Sequence, residues 1–138
     1  MDYAARMSIE HVNPEGMLKS PVFSQGIIIP ANARLLVIGG QNGVDGSGQV
    51  VAKDLAGQTA KAVDNLIKVL EASGGKLEDL VRLSIYVKGD VDIRPGFGAW
   101  MERWGQRQSP PTITVLRVAG LGMSPEVLVE IEAMAALK

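Results

Sequence analysis

Two charged side chains sit in apolar surroundings where a charge could do chemistry. Arg117 lies in SPPTITVLRVAGL, residues 109–121, between Leu116 and Val118. A guanidinium is always charged and offers parallel N–H groups, so facing a pocket it could grip a carboxylate with two hydrogen bonds. Otherwise it pairs with Glu126, Glu130 or Glu132 on a neighbouring strand, or stands at a wet subunit edge. Glu130, in VLVEIEAMA, shares a strand face with Leu128, Glu132 and Met134. A carboxylate there is paired, hydrated in a cleft, or shifted in pKa. In a cleft it could orient water and take its proton, and Glu132 competes for that role. Gly39 and Gly40, followed by Gln41, would let backbone N–H groups approach a ligand closely, or else form a tight turn after a strand.

Other chemistries are excluded by what the chain lacks. His11 is the only histidine, which rules out an imidazole relay and a multi-histidine metal site. There is no cysteine, hence no thiolate nucleophile, disulfide or sulfur-bound metal. GVDGSG lacks the lysine and hydroxyl of a phosphate loop, and the aspartates of DVDIRPG have no cation-loop spacing. Neither a metal nor a cofactor is expected. Lys and Arg total 14 against 15 Asp and Glu, so no positive field would draw a nucleic acid or an anionic membrane. The N-terminus has charges where a signal peptide needs an apolar run, and no apolar stretch is long enough to span a bilayer. A cytoplasmic protein is expected.

The elements that must position these residues follow from periodicity. At 138 residues the chain suits a single domain over 1–138, with residues 1–11 as a loose N-terminal segment. FSQGIIIP reads as a first strand, and RLLVIGG, after a short ANA connection, as its hairpin partner. A glycine-rich excursion leads to Asp54, the expected N-cap of a helix carrying Ala62, Val63, Leu66, Val69 and Leu70 at helical spacing. Gly74-Gly75 would end it. LVRLSIYVK alternates as a strand with one buried face. A short helix, GFGAWMERWGQR, follows Pro95 and sets Trp100 and Trp104 on one side, where they suit a core or interface better than a cofactor site. Pro110 and Pro111 lead into the strand TITVLRVAGL, and EVLVEIEAMA closes the chain. The order is ββαβαββ, an α/β (α+β) arrangement with one sheet face left to cover. With 46% hydrophobic residues, a homo-oligomer is expected to cover it.

Four segments in order, VNPEGMLKSPVFSQG, VIGGQNGVDGSG, QTAKAVDNLIKVLEASGG and VLVEIEAMA, resemble the Rid (YjgF-like) family of reactive-intermediate deaminases from about Val12 to Ala135. The resemblance implies a chorismate-mutase-like fold, a homotrimer with sheets packed inside, and a small-molecule cleft at each subunit interface. It also implies hydrolysis of enamines and imines to keto acids and ammonia, with Glu130 matching the water-activating carboxylate. The family's carboxylate-binding arginine, soon after a proline, falls on Thr112 or Ile113, and neither is cationic. Phe23 replaces the usual tyrosine and Gly39 the usual serine.

Ile113, Val115, Arg117 and Ala119 share a face by strand alternation, so Arg117 lies about 13 Å along the strand from Ile113. The expected site is Glu130 as the catalytic group, with Phe23, Gly39, Gly40, Gln41, Thr112, Ile113 and Arg117 around the substrate. Two readings remain open. One is a hydrolase of a small imine or enamine that handles carboxylates such as 2-aminoacrylate poorly. The other is a non-enzymatic module that binds a small ligand. RNA cleavage fits neither the charge nor the single histidine.

Overall fold

The computed structural model describes residues 8–138. Its strands are β1 (Glu10–Val12), β2 (Gly26–Ile28), β3 (Arg34–Gln41), β4 (Leu80–Lys88), β5 (Thr112–Val118) and β6 (Val129–Leu137); its helices are α1 (Leu55–Ala72) and α2 (Arg94–Trp104). The long strands form one sheet in the order β3-β6-β4-β5. Only β4 and β5 run parallel, as a strand–helix–strand connection through α2 requires; the other pairs are antiparallel.

The α1 boundaries follow from capping. Asp54 Oδ1 accepts the Gly57 N–H at 3.1 Å, and at the far end Gly74 takes φ +82°, which an L side chain rarely adopts. The helix α2 begins two residues before the expected start, with Pro95 inside its first turn, where proline's missing N–H costs nothing. Both helices cover one face of the sheet. Ile38, Leu83, Val87, Val129 and Ile131 point up into Ala62, Val63, Leu66 and Trp100, all buried. Trp100 and Trp104 stack with ring centroids 5.7 Å apart, and Arg103 grips Asp64 through Nε (3.1 Å) and Nη2 (3.2 Å), joining α2 to α1.

Two expected pairings are corrected. The first strand does not form a hairpin with β3: β2 pairs with β1, Ile27 opposite His11, and the turn from Pro30 to Ala33 separates β2 from β3. Glu10 and His11, within the segment read as loose, therefore belong to a strand; residues 1–7 of that segment lie outside the described residues. Likewise β5 does not neighbour the closing strand, because β4 lies between them, so the expected pairing of Arg117 with Glu130 or Glu132 is ruled out. The β1–β2 arm is held to the sheet at the start of β5. His11 Nδ1 meets Ser24 Oγ at 2.8 Å, the Ser24 hydroxyl donates to the Pro110 carbonyl, and the Ser24 N–H donates to Pro111 at 3.0 Å.

Candidate functional site

Strand alternation sorts the candidate residues onto two sides of the sheet. The side away from the helices carries Arg82, Ser84 and Tyr86 of β4, Thr112 and Thr114 of β5, and Glu130 and Glu132 of β6, with Tyr86 opposite Glu130 and Arg82 opposite Thr112. The helix side carries Ile113 and Val115.

Glu130 is fixed from β3 and the loop that follows. Between Ile38 and Gln41 the register of β3 against β6 slips by one residue, and this bulge falls on Gly39 and Gly40. The Glu130 side chain lies over Gly40, where a β-carbon would stand 2.7 Å from Glu130 Cδ. Asn42, buried, donates from Nδ2 to Glu130 Oε1 at 3.1 Å and to the Val129 carbonyl at 3.2 Å. The Asn42 backbone is held in turn by Asn65 of α1, whose Nδ2 donates to the carbonyls of Asn42 (3.1 Å) and Val44 (3.0 Å). A carboxylate with one oxygen held this way keeps lone pairs free to orient a water molecule. Glu132 is engaged differently: it accepts the Tyr86 hydroxyl at 2.6 Å, and this bond, with burial and the carboxylate charge behind it, raises the phenol pKa. Gln41 turns its amide back onto the Gly39 carbonyl at 3.1 Å.

Of the two positions on which the family's arginine falls, Thr112 lies on the side away from the helices and Ile113 on the helix side. Thr112 Oγ1 donates to the Val81 carbonyl at 2.7 Å, and Arg82 Nη2 reaches across to Thr114 Oγ1 at 3.2 Å. Thr112 is two strands and four residues from Glu130 in register, which at ordinary strand spacings separates them by about 16 Å within one chain.

Phe23 and Ile113 lie elsewhere, lining a cavity of about 380 Å³ between the helices and the sheet together with Val115, Ile93, Phe97 and Trp100. Arg117, although on the same side of β5, does not line this cavity. It is exposed, and its Nη1 donates to the carbonyls of Gly89 (3.1 Å) and Val91 (2.8 Å). Nearby, Asp92 is held below the usual carboxylate range, chiefly by hydrogen bonds from Arg94, with Arg117 adding its charge. Arg117 thus ties down the loop after β4. Of the expected residues, Glu130 and Gly40 are brought into contact, Phe23 and Ile113 share the helix-side cavity, and Arg117 stands apart from both groups.

Asn42, Asn65, Arg82 and Tyr86 were not among the expected site residues. Alternation in LVRLSIYVK already placed Arg82 and Tyr86 on a polar face, but no local pattern signals that Asn42 reaches a residue 88 positions on. Among the described residues no group of His, Cys, Asp and Glu could hold a metal ion, and no helix is long and apolar enough to cross a membrane.

Comparison with known proteins places the chain in a family and its fold among solved structures. The chain is 33% identical over 101 residues to a RutC family protein of Pyrococcus horikoshii, covering 72% of this chain and 77% of the relative. It is 32% identical over 114 residues to a RutC family protein of Saccharolobus solfataricus, covering 82% and 85%. A solved structure of a Rid family protein of unknown function from Yersinia pestis superposes with a TM-score of 0.82 at 31% identity, covering 95% of this chain and all of that one. The family model described as endoribonuclease L-PSP matches residues 18–137, and the chain belongs to that family, whose members include the YjgF, RutC and Rid proteins.

Proposed function

We propose that this protein is a cytoplasmic homotrimer that hydrolyses a small imine or enamine in a cleft between subunits, with Glu130 orienting and deprotonating the attacking water. The observation that carries this reading is the holding of Glu130 by Asn42 over a residue, Gly40, that has no side chain to displace it. In the reaction, an enamine first tautomerises to the imine; water then adds to the imine carbon while one of its protons passes through the carboxylate to the nitrogen, giving a carbinolamine, and the carbinolamine hydroxyl proton then passes to the nitrogen as the C–N bond breaks, leaving a carbonyl compound and ammonia. The uncovered sheet face supports the assembly: Leu35, Val37 and Leu116 are each more than half exposed there, at 54%, 72% and 51%. About 16 Å separates Thr112 from Glu130 within one chain, so a small substrate touching both positions would need a second copy.

Substrates without a carboxylate are favoured, because neither Thr112 nor Ile113 is cationic. Arg82, across from Thr112, is the cation that could compensate. A second reading, a non-enzymatic ligand-binding module, is favoured by one observation: the Thr112 hydroxyl is committed to Val81 and presents no free donor. RNA cleavage, the activity in the family's description, is not supported, because the net charge is −1 and the one histidine is occupied at Ser24.

The test is carbonyl and ammonia release from 2-aminoacrylate and from neutral imines, for wild type and Glu130→Gln. Turnover of neutral imines that falls about 100-fold or more in Glu130→Gln supports the hydrolase. Faster turnover of 2-aminoacrylate than of neutral imines overturns the substrate preference, and its loss in Arg82→Leu would assign carboxylate binding to Arg82. No turnover of any imine leaves the binding module as the function.

A further inference from the structure

We propose that Asn65, midway along α1, is a positioning residue for Glu130 that acts through Asn42; this rests on the assignment of water activation to Glu130. The path is a chain of hydrogen bonds. Asn65 Nδ2 donates to the carbonyls of Asn42 (3.1 Å) and Val44 (3.0 Å). The Asn42 amide in turn donates to Glu130 Oε1 at 3.1 Å and to the Val129 carbonyl at 3.2 Å.

The segment that carries Asn42 needs an outside hold to keep that orientation. Residues 39–43 read GGQNG, and fixing a chain so rich in glycine removes much backbone freedom. The chain also leaves β3 here through a tight turn, in which the Val44 N–H donates to the Asn42 carbonyl at 2.9 Å. One amide group from Asn65 reaches the carbonyls on both sides of this turn, so it fixes the turn as a unit. Gly43, at the middle, is pressed against α1: a β-carbon there would stand 2.6 Å from Gln58 Cα.

The helix is the rigid end of the path. Ala62 and Leu66, on either side of Asn65, are fully buried, so α1 cannot shift without disturbing the core. Asparagine inside a helix is less favourable than alanine, and both of these Asn65 bonds leave the helix. Gln58, two turns earlier on the same face, offers the contrast. Its amide accepts the Leu128 N–H at 2.8 Å and donates to the carbonyls of Ala52 and Glu126, each at 3.0 Å. Gln58 thus braces the backbone that enters β6, whereas Asn65 holds the residue that aims the carboxylate.

The test compares wild type with Asn65→Asp, which keeps the shape and removes both N–H donors, and with Glu130→Gln, singly and combined in the full chain. In the imine assay Asn65→Asp should lower kcat about tenfold and leave KM within about twofold, because the base is misaimed while the substrate still binds. In the Glu130→Gln background the same substitution should change kcat less than about twofold, since the group it positions is gone. An equal loss in both backgrounds would make Asn65 a structural residue only and overturn the proposal. The side-chain amide resonances of Asn42 report on the same link without turnover. Asn65→Asp should move them toward their positions in Glu130→Gln, and unmoved resonances would overturn the proposal. A wild type without turnover sinks the hydrolase reading, while these resonances still decide the link from Asn65 to Glu130. Asn65→Ala, which favours the helix, replaces Asn65→Asp if the latter does not fold, with the same results expected.

Discussion

The Glu130 carboxylate occupies the space that a side chain on Gly40 would fill: a β-carbon there would lie 2.7 Å from Glu130 Cδ and 2.8 Å from Oε2. The glycine has an ordinary negative φ, so its role is room and not backbone freedom. Gly40→Ala should therefore cost about 1–3 kcal/mol, because the new β-carbon forces the Glu130 side chain out of the place where Asn42 holds it. It should lower imine turnover at least as much as Asn42→Ala does, since the carboxylate itself is moved. Urea unfolding run beside the imine assay checks both parts.

Asn42 is 6% exposed and serves Glu130 and the Val129 carbonyl with one amide nitrogen. Asn42→Ala leaves the Val129 carbonyl without this donor and frees the carboxylate to swing. A loss of about 1–3 kcal/mol is expected by urea unfolding, together with reduced turnover and a change in its pH profile. A purely structural asparagine would move the stability and leave the profile unchanged.

Leu66 is fully buried between α1 and the sheet. Leu66→Ala should destabilise the chain by about 2–5 kcal/mol, through lost transfer energy and the cavity left behind. Chemical denaturation monitored by the Trp100–Trp104 pair, whose rings report on the same core, measures it.

His11 joins the β1–β2 arm to the start of β5, and because the Ser24 hydroxyl gives its proton to Pro110, the imidazole must donate from Nδ1. Burial lowers the His11 pKa below 6.5, with the hydrogen bond to the Pro110 backbone opposing in part. The folded chain thus holds fewer protons at this site than the unfolded one just below pH 6.5. Its contribution to stability is complete above that value and declines as pH falls through the folded pKa. Thermal midpoints between pH 7.5 and 5.5 should fall for the wild type and change less for His11→Asn, whose side-chain amide can keep the bond to Ser24. Equal slopes would remove the arm from the pH response.

Arg117 binds the backbone carbonyls of Gly89 and Val91 and, within one chain, does not line the helix-side cavity. Arg117→Gln should leave the affinity for carboxylates unchanged and cost less than about 1 kcal/mol, as expected for an exposed polar contact. Faster amide exchange confined to residues 89–93 would show what the arginine holds.

Much of the fold was legible in the sequence because its signals are local. The alternation in LVRLSIYVK, the Asp54 cap and the spacing of Ala62, Val63, Leu66 and Leu70 each depend on residues a few positions apart, and the structure keeps them all. Glu130 was singled out because the motif VLVEIEAMA resembles the family's closing strand. Strand partners were not legible in this way. Whether β2 pairs with β1 or β3, and whether β5 lies beside β4 or β6, depends on which edges remain free once helices cover one face, and no short window of sequence records that.

The amino-acid order alone determined which segments become strands and helices, which family motifs they carry, and that positions 112 and 113 bear no positive charge. Tertiary structure decided where the charged residues act: Arg117 turned to a loop, and Glu130 settled over Gly40 under Asn42, with Asn65 closed on the turn that carries Asn42. The physical reason is distance along the chain. Propensity, capping and alternation act over a few residues, whereas these placements depend on burial and hydrogen bonds between segments that only the packed sheet and helices bring together.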